Sequence, residues 1–468
     1  MLFNSLPFAF FMVAVFFCYW GLSSSVRAQN IFLLCASYFF YGWYDWRYLS
    51  LIIACTAINY AGGRVIGTSH SRLVKKLTLV FCCILSFGIL FIFKYYNFFI
   101  ENFNAICSSM GIHWHGSVVA VMLPVGISFF TFQAVSYTID VYNEKCAATK
   151  DWVSFFTFIS FFPQLVAGPI ERADNLLPQF LRARRFDGDK AIHGVALIAY
   201  GLFKKMVVAD TISVYVDNVF RTPLVWDSSA CLIAIFFFSV QIYCDFSGYS
   251  DIARGSARLI GFDLMINFNR PYLSLTFSEF WKRWHISLST WFRDYVYIPL
   301  GGNRVSIGKV LLNLWIVFLL SGLWHGADWT FVVWGALHAL YLSLGVIYNR
   351  IHKQNDKNKW CRRGVVFLGT MFAWIFFRAE NVNAAFDFIK SLASVRLHLS
   401  ISSLCPGIGG IYLAFCFMVV ALLGLSYLAP ADCRFRSVKG SFLFVLGCLA
   451  AISFFGVSPE GEFIYFRF

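Results

Sequence analysis

The sequence predicts an all-α, polytopic integral membrane protein: about eleven transmembrane helices, give or take two, with re-entrant and interfacial helices besides. Three observations carry that reading. Of 468 residues, 59% are hydrophobic and 13% charged, about half the ~25% charge of a soluble protein. The mean hydropathy is +0.67, and 55 Phe, 22 Tyr and 15 Trp bring the aromatic share to 20%. No long Pro/Gly/Ser-rich linker divides the chain, so residues 1–468 read as a single membrane domain.

A helix needs about 20 apolar residues to cross the hydrocarbon core. In order, the candidate spans are Leu6–Leu22, Ile31–Tyr44, Leu49–Val65, Leu77–Phe93, Val118–Val141, Trp152–Val166, Ile192–Val208, Leu232–Phe246, Val310–Leu323, Trp329–Tyr348, Val365–Phe377, Ile411–Leu428 and Phe442–Phe455. The first has no basic n-region or small-residue cleavage site, and is expected to be a retained span. Trp152–Val166 ends in a polar turn and suits a re-entrant segment, while Val310–Leu323 is short enough to run into a cavity.

Sidedness follows from Lys and Arg in short loops. Arg350–Arg363 carries six of them against one Asp; Arg434, Arg436 and Lys439 form a second basic loop, and Arg72, Lys75 and Lys76 a third. With these loops cytosolic, both termini fall outside, including an aromatic tail over residues 461–468. The net charge of +14 is then a topological bias, and no nucleic acid is expected. The 14 Cys form neither a CxxC nor a Cys/His cluster, so neither a disulfide framework nor a zinc site is supported.

Polar groups inside a membrane are costly and mark function by default. They concentrate in Gln241–Asp251, with Asp245, Ser247 and Asp251; in Asn267–Tyr272; in Phe280–Gly302; and in Ser321–Trp329. In Phe280–Gly302, Lys282, Arg283 and Arg293 alternate with Trp281, Trp284, Trp291 and Tyr295. That pattern fits an amphipathic helix at the lipid interface, or equally a cradle for a cofactor's phosphates. His325 ends one apolar run beside Trp324 and Gly326; His285 lies upstream, and Trp334 and His338 follow. A neutral imidazole can take a hydroxyl proton near pH 7. Asp245, Ser247 and Asp251 lack further ligands for a metal, and are read as holding the interior together by hydrogen bonds. His70, His113, His115, His352 and His398 fall in loops and are read as inert. There is no GxSxG or HExxH, and Gly302–Lys309 has the wrong spacing for a P-loop.

Five stretches in order resemble the membrane-bound O-acyltransferase family, in the branch of alginate O-acetylation and teichoic acid D-alanyl transfer. They are LPVGISFFTFQAVSYTIDVY (Leu123–Tyr142), FFPQLVAGPIER (Phe161–Arg172), QIYCDFSGYSDIARGSARLIGF (Gln241–Phe262), FWKRWHISLSTWFRDYVYIPLGG (Phe280–Gly302) and SGLWHGADWTFVVWGALHAL (Ser321–Leu340). The resemblance implies helices around a central catalytic tunnel. His325 matches the family's histidine in the WHG element, a general base. His285 matches a second family position, with a packing role as the alternative.

The resemblance also implies acetyl-CoA as acyl donor with no permanently bound cofactor, its phosphates oriented by Lys282, Arg283 and Arg293. The implied acceptor is an extracytoplasmic polysaccharide, reached through an SGNH-type partner transferase, and the implied location the bacterial cytoplasmic (inner) membrane. In the acetylating branch an aromatic motif is fused to the C-terminus, as in Gly461–Phe468 here. Tyr465 is the expected acyl carrier, against the plainer reading of a lipid-interface anchor. D-alanyl transfer from a carrier protein is the alternative within the family. A pure transporter would call for inverted repeats, and none is visible in the sequence.

Overall fold

The computed structural model describes residues 1–119, 123–166, 168–351, 358–394, 409–428 and 438–457. Tyr465, His352, His398, Arg434 and Arg436 lie outside them. Among the described residues the regular structure is helical, with no strand. The helices in chain order are α1 (Leu6–Gly21), α2 (Val26–Gly42), α3 (Trp46–Thr68), α4 (Arg72–Ser109), α5 (Ile127–Tyr142), α6 (Trp152–Leu165, broken at Phe161), α7 (Ala173–Leu181), α8 (Gly188–Arg221) and α9 (Ser228–Leu259). There follow α10 (Phe277–Arg283), α11 (Ile286–Phe292), α12 (Ile307–His325), α13 (Trp329–Ile351), α14 (Lys359–Arg378), α15 (Val382–Ala393), α16 (Gly410–Leu428) and α17 (Val438–Phe455).

Among the described residues, seven helices are long and apolar enough to cross a membrane: α3, α4, α8, α9, α12, α13 and α14. Four shorter apolar helices (α1, α6, α16 and α17) accompany them. Two expected spans take a different form. Among the described residues of Val118–Val141 the helix begins at Ile127, after Gly126 at φ 77°, where a Cβ would lie 2.7 Å from the Leu165 carbonyl oxygen. Leu77–Phe93 instead extends to Ser109, through a π-helical turn at Phe91–Tyr95.

The chain forms two compact units, Met1–Val195 with Ala253–Met265, and Ala196–Ile252 with Ile266–Phe468. In the first, α4 has the most apolar window, mean hydropathy 2.4, yet only 17% of it is buried within the protein. Leu77, Phe81 and Ile84 face outward, where lipid covers them at no cost. Several polar residues that turn inward are paired. Asn59 donates to Ser86 Oγ at 2.9 Å and accepts from Thr138 Oγ1 at 2.7 Å. Arg184 donates to Asn30 Oδ1 at 2.8 Å.

The second unit is built on α9, whose apolar window is 78% buried. Its backbone meets that of α8 directly. A Cβ on Gly201 would stand 2.5 Å from the Gly248 carbonyl oxygen, and one on Gly248 2.8 Å from that of Gly201. Just beyond this crossing α8 widens into a π-helical stretch, Phe203–Ala209, carrying Lys204 and Lys205. Lys204 Nζ reaches Ser247 Oγ at 2.9 Å and Asp251 Oδ2 at 2.6 Å. Lys205 Nζ reaches Asp245 at 2.7 Å and Asp210 at 2.9 Å, with all three side chains at least nine-tenths buried.

Buried charges are tolerated only when paired, and removing one partner typically costs about 3–5 kcal/mol. Lys204→Met should therefore lower the melting temperature in detergent, while Lys204→Met/Asp251→Leu, which removes both charges, should recover most of the loss. A single variant as stable as wild type would show that the pair does not hold α8 to α9.

Candidate active site

α12 is an apolar helix of 19 residues that ends on His325. It crosses α13 with the two backbones in contact, since a Cβ on Gly322 would lie 2.3 Å from the Phe331 carbonyl oxygen, and one on Gly335 2.3 Å from that of Phe318. Small residues permit this approach, and no larger side chain would. The next residue obeys the same constraint: a Cβ on Gly326 would sit 2.2 Å from the Phe331 ring. The glycine of the WHG element is thus fixed sterically. The crossing sets the His325 ring edge-on to Trp334 at 4.9 Å and to Phe377 at 5.4 Å, with Trp324 at 5.0 Å. His325 is 3% exposed.

His285 arrives from α11, as the residue that starts it. Its backbone is left-handed, φ 42°, a conformation unusual outside glycine and a mark of local strain. Asn267 clamps the turn. Its carbonyl accepts from Ile286 N at 3.0 Å, and its Oδ1 accepts from Ser287 N at 3.1 Å and Ser287 Oγ at 2.9 Å. The His285 ring is fully buried, edge-on to Phe246 at 4.6 Å, and 6.3 Å from the His325 ring. The two sequence-predicted imidazoles are neighbours. Burial pushes the His285 imidazole down to about 3, so it is neutral at physiological pH and can accept a hydrogen bond.

A cavity of about 430 Å³ is lined by Trp281, Lys282, Leu288, Arg293, Phe318 and Ser321 among others, and by Ile286, the residue after His285. Leu314, Phe318 and Ser321 line it along one face of α12, and the same face reaches His325 one turn further on. Of the three expected cofactor contacts, Lys282 and Arg293 border the cavity and are exposed, Arg293 also pairing with Asp294 at 2.7 Å. Arg283 instead pairs with Glu279 at 2.7 Å within α10. A second cavity, about 450 Å³, is lined by Asp217, Arg221, Asp328, Phe331, Arg378 and Glu380 among others. Arg378 pairs with Asp217. Phe331 packs on Phe377 at 5.1 Å, the ring that contacts His325. Each cavity is thus linked to an imidazole through intervening residues, the first through Ile286 and Ser321 and the second through Phe331 and Phe377.

Asp245, Ser247 and Asp251, singled out in the sequence, meet the lysines of α8 rather than the imidazoles. Among the described residues no group of three or more His, Cys, Asp or Glu is arranged to hold a metal. Sequence reasoning passed over Lys204 and Lys205, although two adjacent lysines inside the apolar run Ile192–Val208 were the signal. His70, His113 and His115 are exposed.

The model of the membrane-bound O-acyltransferase family matches residues 125–384. A probable alginate O-acetylase of Azotobacter vinelandii is 40% identical over 84% of this chain and 78% of its own. A peptidoglycan O-acetyltransferase of Helicobacter pylori is 34% identical over 85% and 80%. A teichoic acid D-alanyltransferase of Bacillus subtilis is 28% identical, over 50% of this chain and 61% of its own.

The depressed His285 pKa has a stability consequence with a definite sign. The unfolded imidazole takes a proton near 6.5 and the folded one only near 3. The stabilising contribution is therefore complete above pH 6.5 and is lost as pH falls towards 3. By pH 4.5 this loss is about 3 kcal/mol, two pH units below the unfolded value at ~1.4 kcal/mol each. His285→Asn should show a shallower fall in melting temperature between pH 7 and 4.5 than wild type. Identical slopes would place the acid sensitivity elsewhere.

Proposed function

The chain belongs to the membrane-bound O-acyltransferase family, and on that premise we propose that it moves an acetyl group from cytosolic acetyl-CoA to an extracytoplasmic hydroxyl, for O-acetylation of an envelope polysaccharide. The observation that carries this reading is the pair His325 and His285, with buried rings 6.3 Å apart. The cavity along α12 has an apolar wall and two cations, Lys282 and Arg293, at its border. It suits a pantetheine arm whose phosphates stay near the cations. With the basic loop Arg350–Arg363 in the cytosol, this cavity lies on the donor's side and the second cavity opens outward.

His325 then takes the proton of the attacking hydroxyl and returns it to the departing CoA thiolate. That proton transfer is the part of acyl exchange a side chain must supply, because an alcohol is a poor nucleophile at neutral pH. His285 positions or polarises the thioester beside it. Acetyl rather than D-alanyl transfer is favoured because the relatives named for acetylation match five-sixths of the chain, and the D-alanyltransferase about half. Alginate and peptidoglycan are the acceptors in those relatives' names, and either class of glycan suits the reading. Tyr465 is the proposed acyl carrier on the outer side, handing the acetyl group to an SGNH-type partner transferase. A phenol, of pKa about 10, needs a base such as His325. The site lies in the bacterial cytoplasmic membrane in this reading, with residues 461–468 outside.

Purified protein incubated with acetyl-labelled acetyl-CoA should retain label on the peptide containing Tyr465. Label should be absent in His325→Ala and in Tyr465→Phe, which keeps the aromatic anchor and loses only the hydroxyl. Full activity of Tyr465→Phe would rule out the relay. Lys282→Ala/Arg293→Ala should raise KM for acetyl-CoA about tenfold or more, given ~1.5–3 kcal/mol for a hydrogen bond to a charged group. An unchanged KM would remove both residues from the donor site.

A further inference from the structure

Between the donor cavity and His325 stands a cluster of aromatic rings with one unusual property. Trp334 and His338 lie one turn apart on α13, and both are 0% exposed. The Trp281 indole N–H donates to His338 Nδ1 at 3.3 Å. A neutral imidazole that accepts at Nδ1 carries its proton on Nε2. That Nε2–H, the Nε1–H of Trp334 and the Nε1–H of Trp374 behind them find no hydrogen-bond acceptor among the described residues, and of the three only Trp334 and His338 lie in the line from Trp281 to His325. The Trp334 ring is 4.9 Å from that of His338 and 4.9 Å from that of His325.

Native proteins seldom leave buried N–H donors unmatched, and an exception calls for an explanation. One of these donors is on Trp334, the ring that touches the general base, and another on His338 beside it, while Trp281, which fixes the His338 tautomer, is itself a wall of the donor cavity. A reaction at this place generates one transient acceptor, the oxygen of a thioester carbonyl as it becomes negative. We propose that Trp334 Nε1–H and His338 Nε2–H are the oxyanion donors of the acyl transfer. The proposal rests on the acyltransfer reading above, and on His325 as its base.

In the step concerned, the acceptor's hydroxyl oxygen adds to the thioester carbonyl carbon as His325 takes the hydroxyl proton. The π pair of the C=O moves onto oxygen, where the two N–H groups receive it. The pair then re-forms the C=O, the C–S bond breaks, and the thiolate takes the proton from His325. Donors already in place when charge develops need no reorganisation, and in an interior without water they act at full strength. Trp281 is the positioning residue of the set, since its bond to Nδ1 holds the His338 proton on the other nitrogen.

The test uses the full-length protein in detergent and measures release of CoA from 1-¹³C-acetyl-CoA, the melting temperature, and the infrared stretch of the bound ¹³C carbonyl. Trp334 is replaced by benzothienylalanine, which keeps the bicyclic shape and puts sulfur where the N–H was. His338→Asn leaves an acceptor for Trp281 and removes the Nε2 donor, whereas His338→Gln keeps a donor at the Nε2 position. Expected for benzothienylalanine and Asn are a fall in kcat of about 10²–10³-fold, KM within about threefold, a melting temperature equal to or above wild type, and a carbonyl stretch moved to higher frequency. His338→Gln should recover a large part of kcat.

Unchanged kcat in both variants would overturn the proposal. So would a loss of kcat that runs parallel with melting temperature and leaves the carbonyl stretch at its wild-type value, the outcome expected if these N–H groups merely rest on ring faces. Wild-type protein inert towards acetyl-CoA would refute the donor assignment instead. The same measurements would then be made with a D-alanyl carrier-protein thioester, whose carbonyl oxygen calls for the same donors.

Discussion

The backbone contact of α12 with α13 at Gly322 and Gly335 is the constraint on which the site depends. At 2.3 Å from a carbonyl oxygen, neither position tolerates even a methyl group. That closeness presses the end of α12 against Trp334 and leaves His325 no room except among rings. The equivalent contact of α8 with α9, at Gly201 and Gly248, does the same for the charges. In both crossings glycine acts by absence of volume, and what is gained is the approach of functional side chains on the neighbouring turns.

The second unit treats its buried polar groups in two opposite ways. Between α8 and α9 every lysine charge is answered: Lys204 by Asp251 and Ser247, Lys205 by Asp245 and Asp210. The π-helical stretch helps here, because the added residue turns two consecutive side chains towards the same neighbouring helix. Such ion pairs hold α8 to α9 and are inert chemically, since each lysine charge is neutralised within its own pair. Around α13 the donors of Trp334 and His338 are left open. In the proposed reading the paired charges of α8 and α9 are structural, whereas the donors on α13 receive a passing ligand.

Much of this was legible in the sequence, for identifiable reasons. Apolar length and low charge sufficed for a helical membrane fold, because a helix in lipid must satisfy its own backbone. The adjacency of His285 and His325 was suggested by the motifs they sit in; the left-handed backbone that delivers His285 was not, since nothing in Trp284–Ile286 announces a positive φ. Arg283 looked equivalent to Lys282 by spacing, yet Glu279 one turn earlier takes it up. Lys204 and Lys205 were overlooked because hydropathy averaged over a span dilutes two charges among apolar neighbours. The start of α5 was misplaced because the run Val118–Leu123 is apolar enough for a span, while the Pro124–Gly126 turn that excludes it is short.

The two cavities differ in charge, and that difference gives the proposed reaction its direction. The cavity along α12 offers Lys282 and Arg293 and no carboxylate among its lining residues. The other has Asp217, Asp328 and Glu380 against Arg221 and Arg378, an excess of negative charge. A donor with several phosphates is drawn to the first and repelled by the second. A neutral hydroxyl, on a sugar or a phenol, meets no such penalty at the second, where carboxylates accept its hydrogen bond. A polyanionic chain would meet it, so in the proposed reading a charged glycan is better served by an intermediate carrier than by entry of the polymer itself. Under the proposed reading, the same charges keep CoA on the side from which it came after the acyl group has left. What crosses the membrane is then the acetyl group alone, between two imidazoles that neither cavity exposes to bulk water.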